Sequence, residues 1–498
     1  MRIFILLLVL LLILPIFTSS ASITKNSPTL YKQHIEKNSY PEKPISDFTF
    51  DELVELSKTP EPRSNLRTKL DNHLSMVYIV NRNNQYKSNK PYLRIADWNI
   101  NRGYNISEIK EILENPSAYE KKNIENVRSK DKKKFKEELN TFVTSDIFCL
   151  SEVDIGMPRT KYKNIPLELS DFLNWNYAYA TEYIELGPIF QKQSIDKTLY
   201  QGLHGNVIIS RFPIISAKVI RIPEQYDWYR DEVKKRQSPL EHFRRFGAKS
   251  IFSERILLHE VRHGNRNAII ADIKLSDNQI ITVVLTHLED RAYSDERLKQ
   301  FKYLLENIKD RKNPVVLTGD FNTSTTDTKP TSMRKEIYKR LRDPHFILRT
   351  IGAAFIPGIP VVPGLAAVAF SKLLQYKDPF FPNIPVIFPN HERKFYRCLK
   401  DFKFSDGNSF DLSGDRKRSS NGKRGLLANS NQRHWKGFKS TFKLEKPRVI
   451  AYFKLDWFFI KPVGKHFLPF NGKTLKVFNY SFKGHLSDHN PITVDIKF

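Results

Sequence analysis

The stretch Leu486–Phe498, LSDHNPITVDIKF, places an acid and an imidazole, Asp488 and His489, directly before an alternating strand that runs to the last residue. Alternation with period two marks a strand with one buried face, so the pair stands at the edge of buried sheet. A single Ser-Asp-His triplet arises often by chance. Its meaning depends on whether the rest of the chain supplies partners.

Working outward, other apolar runs end in polar groups in the same way. KLDWFFIKP (Lys454–Pro462) and NPVVLTGDFN (Asn313–Asn322) read as strands. RNAIIADIKL and QIITVVLTHLE form a hairpin around Ser276–Asn278. GNVIISRFPIISAKVI (Gly205–Ile220), SDIFCLSEVD (Ser145–Asp154) and YLRIADWNI (Tyr92–Ile100) complete the set. Helical patterns cover Phe50–Leu70, Ile106–Leu113, Asn123–Val143 and Asp295–Asp310. Strands divided by helices, with some strands joined by short turns, predict a mixed α/β sandwich. Two stretches break the rhythm: Tyr226–Arg262, charged, aromatic and helix-like, and Asp327–Val449, a long insertion. The second contains IGAAFIPGIPVVPGLAAVAF (Ile351–Phe370), whose prolines rule against an ordinary spanning helix. It reads either as a loop folded into the core or as a flap touching a membrane surface.

Composition bounds the answer. The 498 residues are 40% hydrophobic, enough for a substantial core and too polar for a multi-span membrane protein. Residues 1–22 differ: Arg2, the apolar run Ile3–Phe17 and small residues near Ala21 read as a signal peptide, or else as an N-terminal anchor. That reading makes the protein secreted or extracytoplasmic, or membrane-tethered if the segment is kept. Residues 23–90 read as a polar linker with a short helix. The two cysteines, Cys149 and Cys398, offer little to a disulfide framework. Asn105–Ser107 and Asn479–Ser481 match the glycosylation sequon. A formal net charge of +27 favours an anionic partner without choosing one.

The strand-end residues carry the chemistry. Glu152 is a hard oxygen donor suited to Mg²⁺ or Mn²⁺. Asp320 and Asn322 face the same way if the backbone is extended, an acid to orient water and an amide to hold it; alternatively, Gly-Asp-Phe-Asn is a turn. The Asn99 amide can donate to a phosphate oxygen. His287, as an imidazolium, could neutralise phosphate charge. Asp456 lies inside an apolar strand, where a carboxylate needs a partner. His489 would satisfy it, and Asp456 would then fix the imidazole tautomer and raise its pKa.

In this order, WN, SEVD, GNVIISRFPI, THLE, GDFN, LDW and SDHNP resemble the endonuclease/exonuclease/phosphatase superfamily, the DNase-I-like fold. The resemblance spans about 91–498, with insertions at about 226–262 and 327–449. It implies a four-layer α/β sandwich of two mostly antiparallel mixed β-sheets flanked by helices. It also implies a metal-dependent phosphoesterase. Glu152 would be the principal ligand for Mg²⁺ or Mn²⁺, with Asp488 near the ion. Asn101, where several family nucleases carry Asp, would be a weakened ligand. Asp320 would activate water, with Asn322 beside it. Asn99, His287 and His489 would stabilise the phosphorus centre, and Asp456 would pair with His489. His204 is expected either to face the site or to serve its loop; Arg159 and Arg211 read as phosphate contacts or as ion-pair residues. Three functions fit: hydrolysis of a lipid or small phosphoester, with membrane-surface contact through Ile351–Phe370; a secreted nuclease; or a non-catalytic binding protein on the same fold.

Overall fold

The structure is a computed structural model that describes residues 45–82, 90–187, 195–236, 261–323, 377–378, 381–385, 393–411, 441–444, 451–453, 455–464, 466–482 and 484–497. The N-terminal apolar run and Ile351–Phe370 lie outside the described residues. No described helix is long and apolar enough to cross a membrane.

The strands are β1 (Tyr78–Val80), β2 (Tyr92–Arg102), β3 (Ile147–Ile155), β4 (Asn176–Glu185), β5 (Leu203–Ser210), β6 (Ile214–Arg221), β7 (Arg262–Gly264), β8 (Asn267–Ser276), β9 (Gln279–His287), β10 (Val315–Asp320), β11 (Lys377–Asp378), β12 (Phe381–Pro385), β13 (Phe442–Leu444), β14 (Ala451–Phe453), β15 (Asp456–Lys461), β16 (Leu468–Thr474) and β17 (Ile492–Lys497). An eight-stranded sheet runs β1-β4-β5-β3-β2-β17-β16, with β7 beside β4. A five-stranded sheet runs β15-β10-β9-β8-β6. Among the described residues, only the β2–β3 and β9–β10 pairs of these sheets are parallel. The four-layer sandwich expected from the resemblance is the observed architecture.

Period two in the central strands divides each face cleanly. Leu93 and Ile95 of β2 join Ile147, Ile208, Ile269, Val283, Val316, Phe458 and Val494 in the apolar layer between the sheets. Ala96, Trp98 and Ile100 point the other way, into a core roofed by the helices Ile106–Glu114 and Lys132–Val143. The helix Ser294–Ile308 covers the outer face of the second sheet, with Phe301, Leu304 and Ile308 buried there. Both faces of β2 are therefore buried, which explains its nearly unbroken apolar run. Asp97 and Asn99 continue the between-sheet face of Leu93 and Ile95, so β2 leads from core directly to polar centre.

The fold begins earlier than a linker over 23–90 allows. Helices Phe50–Lys58 and Ser64–Leu74 bury Leu53, Leu56, Leu66, Leu70 and Leu74, and β1 pairs with β4. A capping box opens the first helix: Thr49 N–H donates to Glu52 Oε2 at 2.8 Å and Glu52 N–H to Thr49 Oγ1 at 3.2 Å. The leucine spacing, not the mean polarity, is what matters in this segment. The helix expected over Asn123–Val143 is broken: Pro116–Asn123 ends, two short 3-10 turns follow, and a helix restarts at Lys132. Both insertions contribute to the domain. Trp228 and Tyr229 are buried ahead of the helix Arg230–Arg236, and Phe395 and Leu399 of the helix Arg393–Asp401 pack on the second sheet.

Candidate active site

Register places the site. Asp320, the last residue of β10, is paired with His287 across the parallel β9 and with Asp456 across the antiparallel β15. Gly319 lets β10 approach so closely: a Cβ there would lie 1.8 Å from Thr286 O, at a φ of 134°. From the other sheet, Asn99 Nδ2 reaches across to Asp320 Oδ2 at 3.2 Å and to Glu152 Oε1 at 3.0 Å. One amide thus ties the ends of both sheets together.

Backbone irregularity concentrates here. Asn101, Arg102, Glu152 and Asn322 hold positive φ values of 48°, 63°, 53° and 48°. The β2–β3 register shifts between Asn99 and Arg102, and β3–β5 shifts between Leu150 and Val153. Left-handed backbone is costly for such side chains and clusters at functional sites. Asn322 therefore sits on a turn, the alternative to extended backbone with Asp320. The chain turns, Asn322 N–H donates to Asp320 Oδ1 at 2.9 Å, and Asn322 Nδ2 donates to Leu288 O at 2.9 Å. Asn101 donates its backbone N–H to Asn99 Oδ1 at 3.0 Å, supporting that amide.

The Asp-His pair at the chain's end is explained by the strands that meet it. His489 Nδ1 is 2.8 Å from Asp456 Oδ2, and its Nε2 is 3.6 Å from Asp320 Oδ2. Burial alone would lower the imidazole, but Asp456 and then Asp320 hold it well above the usual range. Its loop is fixed from behind. Ser487 Oγ donates to Asn99 O at 2.6 Å, Trp98 Nε1 donates to His489 O at 2.9 Å, and Asn479 Nδ2 donates to Ser487 O at 2.8 Å. Asn479 is fully buried, so the second sequon has no accessible amide in the folded protein. Asn105 of the first sequon donates to Leu486 O at 2.7 Å.

His287 also stands 3.6 Å from Asp320 Oδ2 through Nε2, but its Nδ1 faces Arg266 Nη1 at 2.8 Å. Burial first, and the guanidinium second, hold it well below the usual imidazole range. The Arg266 guanidinium, which can only donate, opposes the imidazolium reading of this position. Asp320 is pushed up to about 7 by burial, with His489 pulling it down and Asp456 adding to the rise. Asp97, beneath them, is carried well above the carboxylate range by burial and then by Asp456 and Asp320.

Two groups of residues could hold a cation. Asp320, Asp456 and His489 offer ligand atoms that lie within 4.8 Å of one another. Within that trio, however, Asp456 and His489 are already bonded to each other. Glu152 and Asp488 have the fitting chemistry: both are carboxylates, and burial, opposed by His489 and reinforced by Glu152, raises Asp488. A divalent cation held there would relieve that repulsion through oxygen ligands.

The remaining candidates hold structure, Arg211 at the other end of β3 from Glu152, where its backbone N–H donates to Asp146 O. His204 Nδ1 is bonded to Asp154 Oδ1 at 2.9 Å, and Arg159 is paired with Asp154 and Glu185. Arg211 stacks over Trp175 at 4.6 Å. Cys149 and Cys398 are free thiols. Arg266, Asp97, Asn479 and Ser487 escaped the sequence reading as parts of the centre. Ser487 had a signal, since it precedes the acid of the Asp-His pair; a lone Arg266 before β8 had none.

Residues 98–442 match the Endonuclease/Exonuclease/phosphatase family. No curated protein matches the chain. Among solved structures, the chain is similar to an endonuclease/exonuclease/phosphatase from Beutenbergia cavernae, at 12% identity and a TM-score of 0.38, over 82% of this chain and 72% of that one. It is also similar to the human Nocturnin catalytic domain with bound sulfate anion, at 14% identity and a TM-score of 0.36, over 85% and 97%. A third is ANGEL2, a 2',3'-cyclic phosphatase, at 14% identity and a TM-score of 0.36, over 84% and 98%.

Proposed function

The chain belongs to the endonuclease/exonuclease/phosphatase family, and from that premise we propose that it hydrolyses a phosphoester by in-line attack of water at phosphorus. The observation that carries the reading is the surrounding of Asp320 Oδ2: Asn99 Nδ2 at 3.2 Å, and His287 Nε2 and His489 Nε2 each at 3.6 Å. A carboxyl raised to about 7 is matched to accept a proton from water near neutral pH. Asn322 positions the Asp320 carboxylate through its backbone N–H. His489, charged and held by Asp456, presents a donor to the oxygens on which charge develops, and the Asn99 amide holds the Asp320 and Glu152 carboxylates in place. Glu152 and Asp488 would hold a divalent ion, Mg²⁺ or Mn²⁺, which when bound polarises a phosphoryl oxygen.

Small or lipid phosphoesters come first in this reading, on the apolar Ile351–Phe370 segment and the apolar leader of the sequence. The net charge of +27 supports nucleic acid as the second reading. A panel separates them: p-nitrophenyl phosphate, bis-p-nitrophenyl phosphate, sphingomyelin vesicles, phosphoinositides, plasmid DNA and RNA, each with Mg²⁺ and with EDTA. The expected result is EDTA-sensitive turnover of a lipid or small ester, lost in Glu152→Ala. Nicking of plasmid without lipid cleavage selects the nuclease. A folded chain that turns over nothing is the binding protein. The same reading makes the protein extracytoplasmic. N-terminal sequencing of the exported chain tests it, with cleavage expected near Ala21 and an intact Met1 marking an anchor.

A further inference from the structure

We infer that Arg266 is a positioning residue for hydrolysis: by donating to His287 Nδ1 it confines the ring's single proton to Nε2, which faces the reacting centre, so His287 acts as a neutral hydrogen-bond donor. This deepens the proposed reaction and rests on it. Arginine is permanently charged and has donors only, so a nitrogen 2.8 Å from Arg266 Nη1 must accept. The proton of the neutral ring is then on Nε2, toward Asp320 Oδ2 at 3.6 Å.

Arg266 is itself held in place. Its Nη1 also donates to Glu182 Oε2 at 3.0 Å, its Nη2 to Asp290 Oδ1 at 3.4 Å, and its Nε lies 3.5 Å from Glu289 Oε2. Its guanidinium lies 5.3 Å from the Tyr183 ring centre. Glu182 is the carboxylate that could otherwise have taken an Nδ1 proton. Its Oε2 lies 3.8 Å from His287 Nδ1, beyond hydrogen-bond reach, and its oxygens serve Arg266 and Asn206. Arg266 thus stands where a carboxylate would have reversed the tautomer.

A competing donor faces the other nitrogen. Asn322 Nδ2 approaches His287 Nε2 at 3.2 Å, and it already donates to Leu288 O. A neutral ring carries one proton and cannot accept at both nitrogens. The guanidinium wins that contest, because its contact is shorter and its donor is charged.

The full chain, labelled with ¹⁵N-histidine, tests this directly through long-range proton–nitrogen correlation, with His287→Gln assigning the signals. The expected spectrum shows His287 with Nε2 protonated and Nδ1 bare. A proton on Nδ1 overturns the inference, whether or not any phosphoester is turned over, so this outcome is separate from failure of the proposed reaction. On the substrate found active, Arg266→Ala should lower kcat about tenfold or more with KM within about twofold, and added guanidinium should recover part of that kcat. A kcat within about twofold of the parent, or a loss that guanidinium leaves unchanged in a variant with the parent's circular dichroism, overturns it as well.

Discussion

His287 and His489 stand at the same distance, 3.6 Å, from Asp320 Oδ2, yet the structure prepares them oppositely. His489 has a carboxylate, Asp456, on its far nitrogen and is held charged. His287 has a guanidinium, Arg266, on its far nitrogen and is held neutral. The two sides of Asp320 show that strand position gives an imidazole its reach, while the partner behind it sets its charge. In the proposed reaction one side would supply a cation for developing negative charge. The other would supply a donor that adds no charge beside the base.

Breaking the charged side should have the largest effect. Asp456→Ala leaves a buried imidazole without its carboxylate, and loss of one partner of a buried pair costs about 3–5 kcal/mol. Urea unfolding should show that loss, and kcat should fall with it. An unchanged midpoint would mean that the pair does not hold this side. Replacing the rings compares the two sides directly. His489→Gln should raise the barrier for kcat by about 2.7–4 kcal/mol, the usual cost of losing a donor to developing charge. His287→Gln, which keeps a neutral donor, should cost less. Equal losses would erase the distinction.

The pH profile sharpens the same contrast. Asp320 must be ionised to accept a proton, so kcat/KM should rise with pH through about 7. His489, raised above its ordinary value, must stay protonated, so activity should fall again at higher pH. His287 is neutral across this window and should contribute neither limb; His287→Gln should leave the profile's shape intact. A profile that loses a limb in that variant would show the ring titrating. The smallest effect is expected behind the charged side. Ser487→Ala removes the hydrogen bond to Asn99 O and the acceptor of the His489 N–H, and should cost about 2 kcal/mol in urea unfolding.

The sequence displayed this contrast only in part. Asn99, His287, Asp320 and Asp456 were legible because each is a polar residue at the end of an apolar run, and sheet geometry gathers strand ends. His489 and Asp456 were legible as a pair because a carboxylate in an apolar strand needs a partner. Arg266 was not, because its meaning lies in a contact with His287 that no local pattern marks. The turn at Asn322 was legible as one of two readings: two residues apart implies one face only while the backbone stays extended, and Gly-Asp-Phe-Asn is also turn-forming. At the N-terminal end a helical spacing was legible over Phe50–Leu70, but its division into the helices Phe50–Lys58 and Ser64–Leu74 and the pairing of β1 with β4 were not, because they depend on long-range packing.

The proposed hydrolysis depends on Asp320 acting as its base. The most direct measurement is turnover of bis-p-nitrophenyl phosphate by the parent chain and by Asp320→Asn, both with Mg²⁺ and matched in circular dichroism. The predicted loss in the variant is about 10²–10⁴-fold. Turnover within a fewfold of the parent would contradict that role.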